Sequence, residues 1–159
     1  MTGRRIEQRG LWFDEFEVGA TYVHAPGRTV TEADNVLFTT VTMNTQSLHL
    51  DAAWSAQQPF GERLVNSMFT LSTMVGASVA QLTQGTIVAN LGFGAVAFPH
   101  PVTHGDTLYF ETLFESKRLS SSRPGQGIVV LRHTARNHDG VVVATAERSA
   151  LVWCKGAQP

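Results

Sequence analysis

Apolar residues in this chain recur first at helical spacing and then, over the second half, at period two. Residues 20–30 read as an extended segment. Thr31, followed by Glu32 and Asp34, has the form of a helix N-cap with acids in the first turn. The helix it opens is predicted to run to about Met43, with Ala33, Val36, Leu37, Thr40 and Val41 as its apolar set. Residues 44–50 follow as a loop. Asp51 then caps a short helix that Pro59-Phe60-Gly61 ends.

The strongest helix signal spans residues 66–83. Asn66 and Ser67 stand as caps, and Met68, Phe69, Leu71, Met74, Val75, Ala77, Val79, Ala80 and Leu82 run nearly all the way round. Such a helix is buried on most sides, and Gly85 closes it. Four strand-like segments come next. Residues 86–98 alternate at Ile87, Ala89, Leu91, Phe93, Ala95 and Ala97. Residues 107–117 set Leu108, Phe110, Thr112 and Phe114 against Tyr109, Glu111, Glu115 and Lys117. Residues 127–138 and 141–153 are joined by Asp139-Gly140, a two-residue hairpin signal. In the last segment Val142, Ala144, Ala146, Ala150 and Val152 share a face on which Arg148 is the exception. One apolar helix followed by hairpin-linked strands predicts an α+β fold, an antiparallel sheet wrapped around a long central helix.

Composition narrows the partners. A length of 159 residues suits one domain, 1–159, with polar residues 1–10 flexible until packed. A hydrophobic content of 43% and a charged content of 16% describe an ordinary globular chain. The net charge of −1, with no basic run beyond Arg4-Arg5, argues against nucleic acid and an anionic membrane as partners. Cys154 is the single cysteine, which excludes an intrachain disulfide and favours a reducing compartment. Charges scattered through the first twenty residues argue against a signal peptide. Ser, Thr, Gly and Gln interrupt the apolar run near 67–82, so it reads as a buried helix and not a membrane span. A cytoplasmic location is expected.

Candidate chemistry centres on Thr42-Met43-Asn44-Thr45-Gln46-Ser47-Leu48-His49-Leu50-Asp51. A histidine accepts and returns protons near neutral pH, so His49 is the candidate acid and base, against the plainer reading of a residue capping the helix at Asp51. Asn44 does not titrate but can hold a water by donating and accepting together. At Ser67 the first N–H groups of the long helix lack partners and the helix dipole favours negative charge, which makes that backbone N–H a candidate oxyanion donor. The polar loop Ser120–Gly127 carries Arg123, read either as a phosphate contact or as a strand connection. Arg132 and Arg136 share a strand face with Thr134 that reads as solvated. His100 and His104 are four apart, but Pro101 prevents a shared helical face and no metal site is expected. Gly92 and Gly94, within a strand, mark a bend or close packing.

Three segments in chain order resemble the MaoC-like dehydratases, also called (R)-specific enoyl-CoA hydratases. Asn44–His49 resembles that family's Asp-x-Asn-Pro-x-His, with Asn44 in the place of Asp, Gln46 of Asn and Ser47 of Pro. Residues 59–68 resemble the segment ending Val-His-Gly-Met, with Asn66 and Ser67 replacing His and Gly. Phe98–Leu108 is close to Phe-x-x-Pro-Val-x-x-Gly-Asp-Thr-Leu. The resemblance covers roughly residues 12–153. It implies the hotdog fold with extra helices over 31–58, an acyl-CoA thioester as substrate and no cofactor beyond that carrier. The exposed edge and part-covered helix of one such sheet predict a homodimer or higher homo-oligomer. The implied site has His49, Asn44 and the Ser67 N–H as catalytic groups and Gln46, Asn66 and Arg123 as substrate contacts. Because Asn44 replaces the acid, His49 acts alone or another carboxylate takes over. The Arg123 loop resembles the mesaconyl-CoA hydratase branch, which implies a short branched or dicarboxylic acyl group. Three readings follow: reversible hydration of a 2-enoyl-CoA, a thioesterase using Glu62, and a non-catalytic or hetero-oligomeric subunit.

Overall fold

A computed structural model of the chain describes residues 3–157. Of the N-terminal segment read as flexible, Met1 and Thr2 lie outside the described residues. The elements in chain order are β1 (Thr21–Thr29), α1 (Glu32–Val41), the single turns α2 (Ser47–Leu50) and α3 (Ala52–Ser55), α4 (Ser67–Leu82), β2 (Ile87–Ala97), β3 (Thr107–Leu119), β4 (Gln126–Arg136) and β5 (Val142–Trp153). The strands form one antiparallel sheet in the order β1-β3-β4-β5-β2. Helix α4 packs against β1, β3, β4 and β5. This is the hotdog arrangement, with α1–α3 inserted ahead of the central helix. Among the described residues, no helix is long and apolar enough to cross a membrane.

The caps form where the sequence places them. Thr31 Oγ1 accepts the Asp34 N–H at 3.2 Å, and the Asp34 carboxylate accepts the Thr31 N–H at 2.9 Å. Asn66 Oδ1 accepts the Met68 N–H at 3.0 Å and starts α4. Alternation also holds, since Leu108, Phe110, Thr112 and Phe114 of β3 are all buried. On the outer face, Arg132 pairs with Glu115 and Arg136 with Glu111, as a solvated face requires.

The interior divides into two apolar clusters. One gathers Val30, Val65, Met74, Leu108, Phe110 and Ala135, the other Phe13, Phe16, Leu82, Phe114, Leu131 and Val152. A polar belt separates them along four elements: Thr112 on β3, His133 on β4, Arg148 on β5 and Ser78 on α4, all buried. Its hydrogen bonds have one consistent direction. His24 Nδ1–H donates to Gln81 Oε1 at 2.8 Å, so His24 Nε2 accepts from Thr112 Oγ1 at 2.7 Å. Thr112 in turn accepts from His133 Nδ1 at 2.8 Å. Arg148, the exception on its face, is 4% exposed and donates from Nε to Asn90 Oδ1 at 2.9 Å.

Three features depart from what the sequence pattern alone conveys. The apolar set of α1 does not face the core: Leu37 is 66% exposed and Val41 67% exposed, while Asn35 and Thr39 are the buried residues of that helix. The inner face is occupied by a carboxamide that the neighbouring backbone requires, with Phe38 turned edge-on to Phe69 at 5.7 Å between ring centroids. The Asp139-Gly140 turn is not a two-residue loop. Gly140 alone has positive φ (78°), its N–H donates to Asn137 O, and Asn137 Oδ1 accepts the Asp139 and Val141 N–H groups. The Asn137 side chain therefore stretches the connection to a longer turn closed by the glycine. Strand β2, apolar at period two, is an edge strand, with Leu91 50% and Phe93 41% exposed.

Burial and the nearby Arg148 and His24 charges push the pKa of His133 down to about 3, and burial lowers that of His24. Unfolded histidines bind protons below about pH 6.5. Between that value and the folded value the unfolded chain holds more protons, so stability falls as pH falls. The slope is up to about 1.4 kcal/mol per pH unit for each such histidine. Denaturant unfolding should show lower stability at pH 5 than at pH 7, and His133→Gln should flatten that difference.

Candidate active site

The His49 segment is built from short-range hydrogen bonds. Asp51 Oδ1 accepts the Trp54 N–H at 2.9 Å and caps α3, so that task does not fall to His49. Ser55 Oγ reaches back to Ser47 O at 3.3 Å and holds α2 against α3. The His49 imidazole is 9% exposed, and its Nδ1 lies 2.8 Å from Leu64 O. A carbonyl only accepts, so Nδ1 carries a proton, and in the neutral ring Nε2 keeps a free lone pair.

Asn35 lies behind that carbonyl. The two hydrogens of its Nδ2 go to His49 O at 3.1 Å and His104 Nε2 at 3.0 Å, with Leu64 O a weaker, shared contact at 3.4 Å. Its Oδ1 accepts the Asn66 N–H at 2.9 Å. One residue further on, Ser67 begins α4, and its N–H meets no acceptor among the described residues. The sequence reading missed Asn35. Its signal was there, in a polar i, i+4 pair with Thr39 on the face opposite the apolar set.

His49 and Ser67 line one cavity of about 250 Å³. Leu48, Leu64, Val65, Phe98, Val102 and Val143 supply its apolar wall, and Thr70 and His100 complete the polar groups. His100 is anchored as His49 is, with Nδ1 3.0 Å from Val142 O, but it is exposed. No Asp, Glu, Lys or Arg lines the cavity among the described residues. Nor do three His, Cys, Asp or Glu side chains cluster anywhere among them as a metal site would need. Thr70 was not singled out in the sequence. Its position three residues after Ser67, on the same helical face, was the available signal.

The other proposed contacts lie outside this cavity. Asn44 Oδ1 accepts the Gln46 N–H at 3.0 Å and closes the turn into α2. Gln46 is exposed at the start of that turn. Asn66 is buried as the α4 cap, and its Nδ2 donates to Thr39 Oγ1 at 3.3 Å. Arg123 sits exposed in the β3–β4 connection, at the end of the sheet away from Val143. Glu62 is exposed and also outside the wall.

Removing a buried carboxamide strands its former partners without bonds, at about 1–3 kcal/mol for each group left unsatisfied. Asn35→Ala should therefore cost about 3 kcal/mol or more in urea unfolding, and Asn35→Asp, which lacks the donors, should not restore it.

Comparison with known proteins fits this geometry. Residues 15–137 match the family model described as MaoC like domain. The mesaconyl-CoA hydratase of Haloarcula marismortui is 27% identical over 146 residues, 91% of this chain and 40% of that protein. The chain spans 35–40% of the length of the curated relatives it matches. Among solved structures, a monoamine oxidase regulatory protein from Archaeoglobus fulgidus superposes with a TM-score of 0.84 at 27% identity, covering 94% of this chain and 99% of that one. A Mycobacterium tuberculosis protein described as a double hotdog fold superposes with a TM-score of 0.83 at 25% identity, covering 97% of this chain and 47% of that one.

Proposed function

The chain belongs to the MaoC-like dehydratase domain family, and on that premise we propose that it adds water reversibly across the double bond of a short 2-enoyl thioester of coenzyme A. The observation that carries the reading is the His49 imidazole, tied by Nδ1 to Leu64 O on the wall of the same cavity as Ser67, whose N–H is free among the described residues. Water attacking C3 gives a proton to His49 Nε2 as its oxygen bonds to carbon. The electrons of the double bond move to the thioester oxygen, where the Ser67 N–H and the dipole of α4 favour the developing charge. His49 then returns the proton to C2, and the balance is one water added. The reverse sequence dehydrates a 3-hydroxyacyl thioester.

Size and polarity support a small, uncharged acyl group. At about 250 Å³ the cavity is below the about 300–1,000 Å³ of sites for drug-sized ligands, so it suits the acyl head with the carrier outside. A tail carboxylate would meet no cationic Lys or Arg on this wall, and burying an unpaired charge is costly. The chemistry calls on no resident cofactor or metal, because proton transfer and enolate stabilisation come from the chain. A reducing, cytoplasmic setting suits the lone thiol of Cys154.

The working unit is read as a homodimer. Edge strand β2 leaves Leu91, Phe93 and Val96 exposed, an unprotected edge that a second copy would cover. The double-hotdog relative carries, in one chain about twice as long, the second unit that a partner copy would supply here. Light scattering should give a dimer for the wild type and a smaller species for Leu91→Lys with Phe93→Glu. A monomeric wild type at micromolar concentration would overturn this assembly.

The test of function follows the enoyl-thioester absorbance with crotonyl-CoA and mesaconyl-CoA. Loss of the band is expected with crotonyl-CoA and more slowly with mesaconyl-CoA. His49→Ala should lower the rate by about 10²–10⁴ with unchanged circular dichroism. Release of free thiol would point instead to a thioesterase.

A further inference from the structure

Thr70 is 2% exposed and lies on α4, three residues after Ser67. A threonine inside a helix usually turns its hydroxyl back to the carbonyl four residues before or out to water. Here Oγ1 does neither: it is buried and has no hydrogen-bond partner among the described residues. Five buried side-chain atoms share that condition, on Thr70, Thr86, Gln126, His133 and Arg148, and of these residues Thr70 alone lines the cavity. A valine would fill the same volume and remove the unpaired polar atom, so this hydroxyl is kept at a cost to the free protein.

Three polar groups of the residues that line the cavity differ in what they can do. The Ser67 N–H only donates, which suits a thioester oxygen. His49 Nε2, with Nδ1 holding the proton, only accepts, which suits one O–H of water. A hydroxyl does both. A water held by His49 alone can swing about that single bond. A second hydrogen bond is needed to keep a lone pair of the oxygen on C3. Asn44, which the family resemblance puts in that post, has its Oδ1 engaged by the Gln46 N–H outside the cavity.

Resting on the hydratase reading, the geometry points to Thr70 as a further catalytic residue whose hydroxyl holds the attacking water together with His49. One O–H of the water donates to His49 Nε2 and the other to Thr70 Oγ1. The oxygen lone pair bonds to C3, His49 takes and returns the proton, and Thr70 neither gains nor loses one.

The experiment measures kcat, KM and thermal midpoint for the wild type, Thr70→Val and Thr70→Ser with crotonyl-CoA. The expected result for Thr70→Val is a fall in kcat of about tenfold or more, the weight of one positioned hydrogen bond. KM should stay within about twofold and the thermal midpoint should not fall. Thr70→Ser should keep most of kcat, because it restores the hydroxyl with less packing. A structural role predicts the opposite ordering, in which serine is the weaker variant and valine is wild-type. Wild-type kcat in Thr70→Val overturns the assignment alone, and so does a loss that Thr70→Ser shares with a lowered midpoint. A wild type that hydrates no enoyl thioester overturns the hydratase reading and this one with it.

Discussion

The Asn35 carboxamide, fully buried on the inner face of α1, is the interaction on which the site geometry depends. It joins four stretches of chain: its own helix, the His49 turn through His49 O, the approach to α4 through Leu64 O and the Asn66 N–H, and the turn before β3 through His104. Each candidate chemical group is one step from it. The His49 ring takes its direction from Leu64 O, which Asn35 also bonds. The Ser67 N–H follows the Asn66 N–H, which Asn35 accepts. Only a side chain with both donors and an acceptor can do this: a carboxylate lacks the donors and an aliphatic chain lacks everything. The inserted helices are thus tied to the central helix largely by polar bonds, and the apolar residues of α1 are left outward.

Behind the site the sheet supplies stiffness by a comparable device. The belt of His24, Thr112, His133 and Arg148 crosses the interior between two apolar clusters. The histidine–threonine bonds of the belt permit one direction of donation, although one buried nitrogen each of His133 and Arg148 has no partner among the described residues. A register slip of one residue would bring the polar belt to the solvent face and break those bonds. The belt thereby specifies strand pairing, and the price is a fold sensitive to acid.

Most of the scaffold was legible because it rests on local chemistry. Thr31 with Asp34, Asp51 and Asn66 are caps that short spacing reveals. The alternation of Leu108, Phe110, Thr112 and Phe114 states which face is inside. The failures share a different cause. Hydrophobic periodicity reports a helix but not the side its neighbours demand, and the apolar set of α1 lies outward. Whether strand β2 is central or at an edge depends on pairings between distant residues, which its own pattern does not contain. At the site, His49 and Ser67 stood out because their positions match a motif. Thr70 and Asn35 did not, because an unpaired hydroxyl and a carbonyl clamp exist only once the chain has folded.

The replacement of an acid by Asn44 is then less severe than the motif alone suggests. Hydration adds the two parts of one water to adjacent carbons, so a single group that takes a proton and gives it back completes the balance. A carboxylate beside it would raise the rate without being required by the stoichiometry. Thioester hydrolysis has another need, a nucleophile or base aimed at the carbonyl carbon, and Glu62 stands exposed outside the cavity wall. Asn44 meanwhile closes the turn that presents His49. A carboxamide suits that task at any pH, because it accepts the Gln46 N–H without carrying a charge beside an apolar cavity. Asn44 thus supports the turn, and the proposed chemistry falls to the imidazole and the α4 N-terminus.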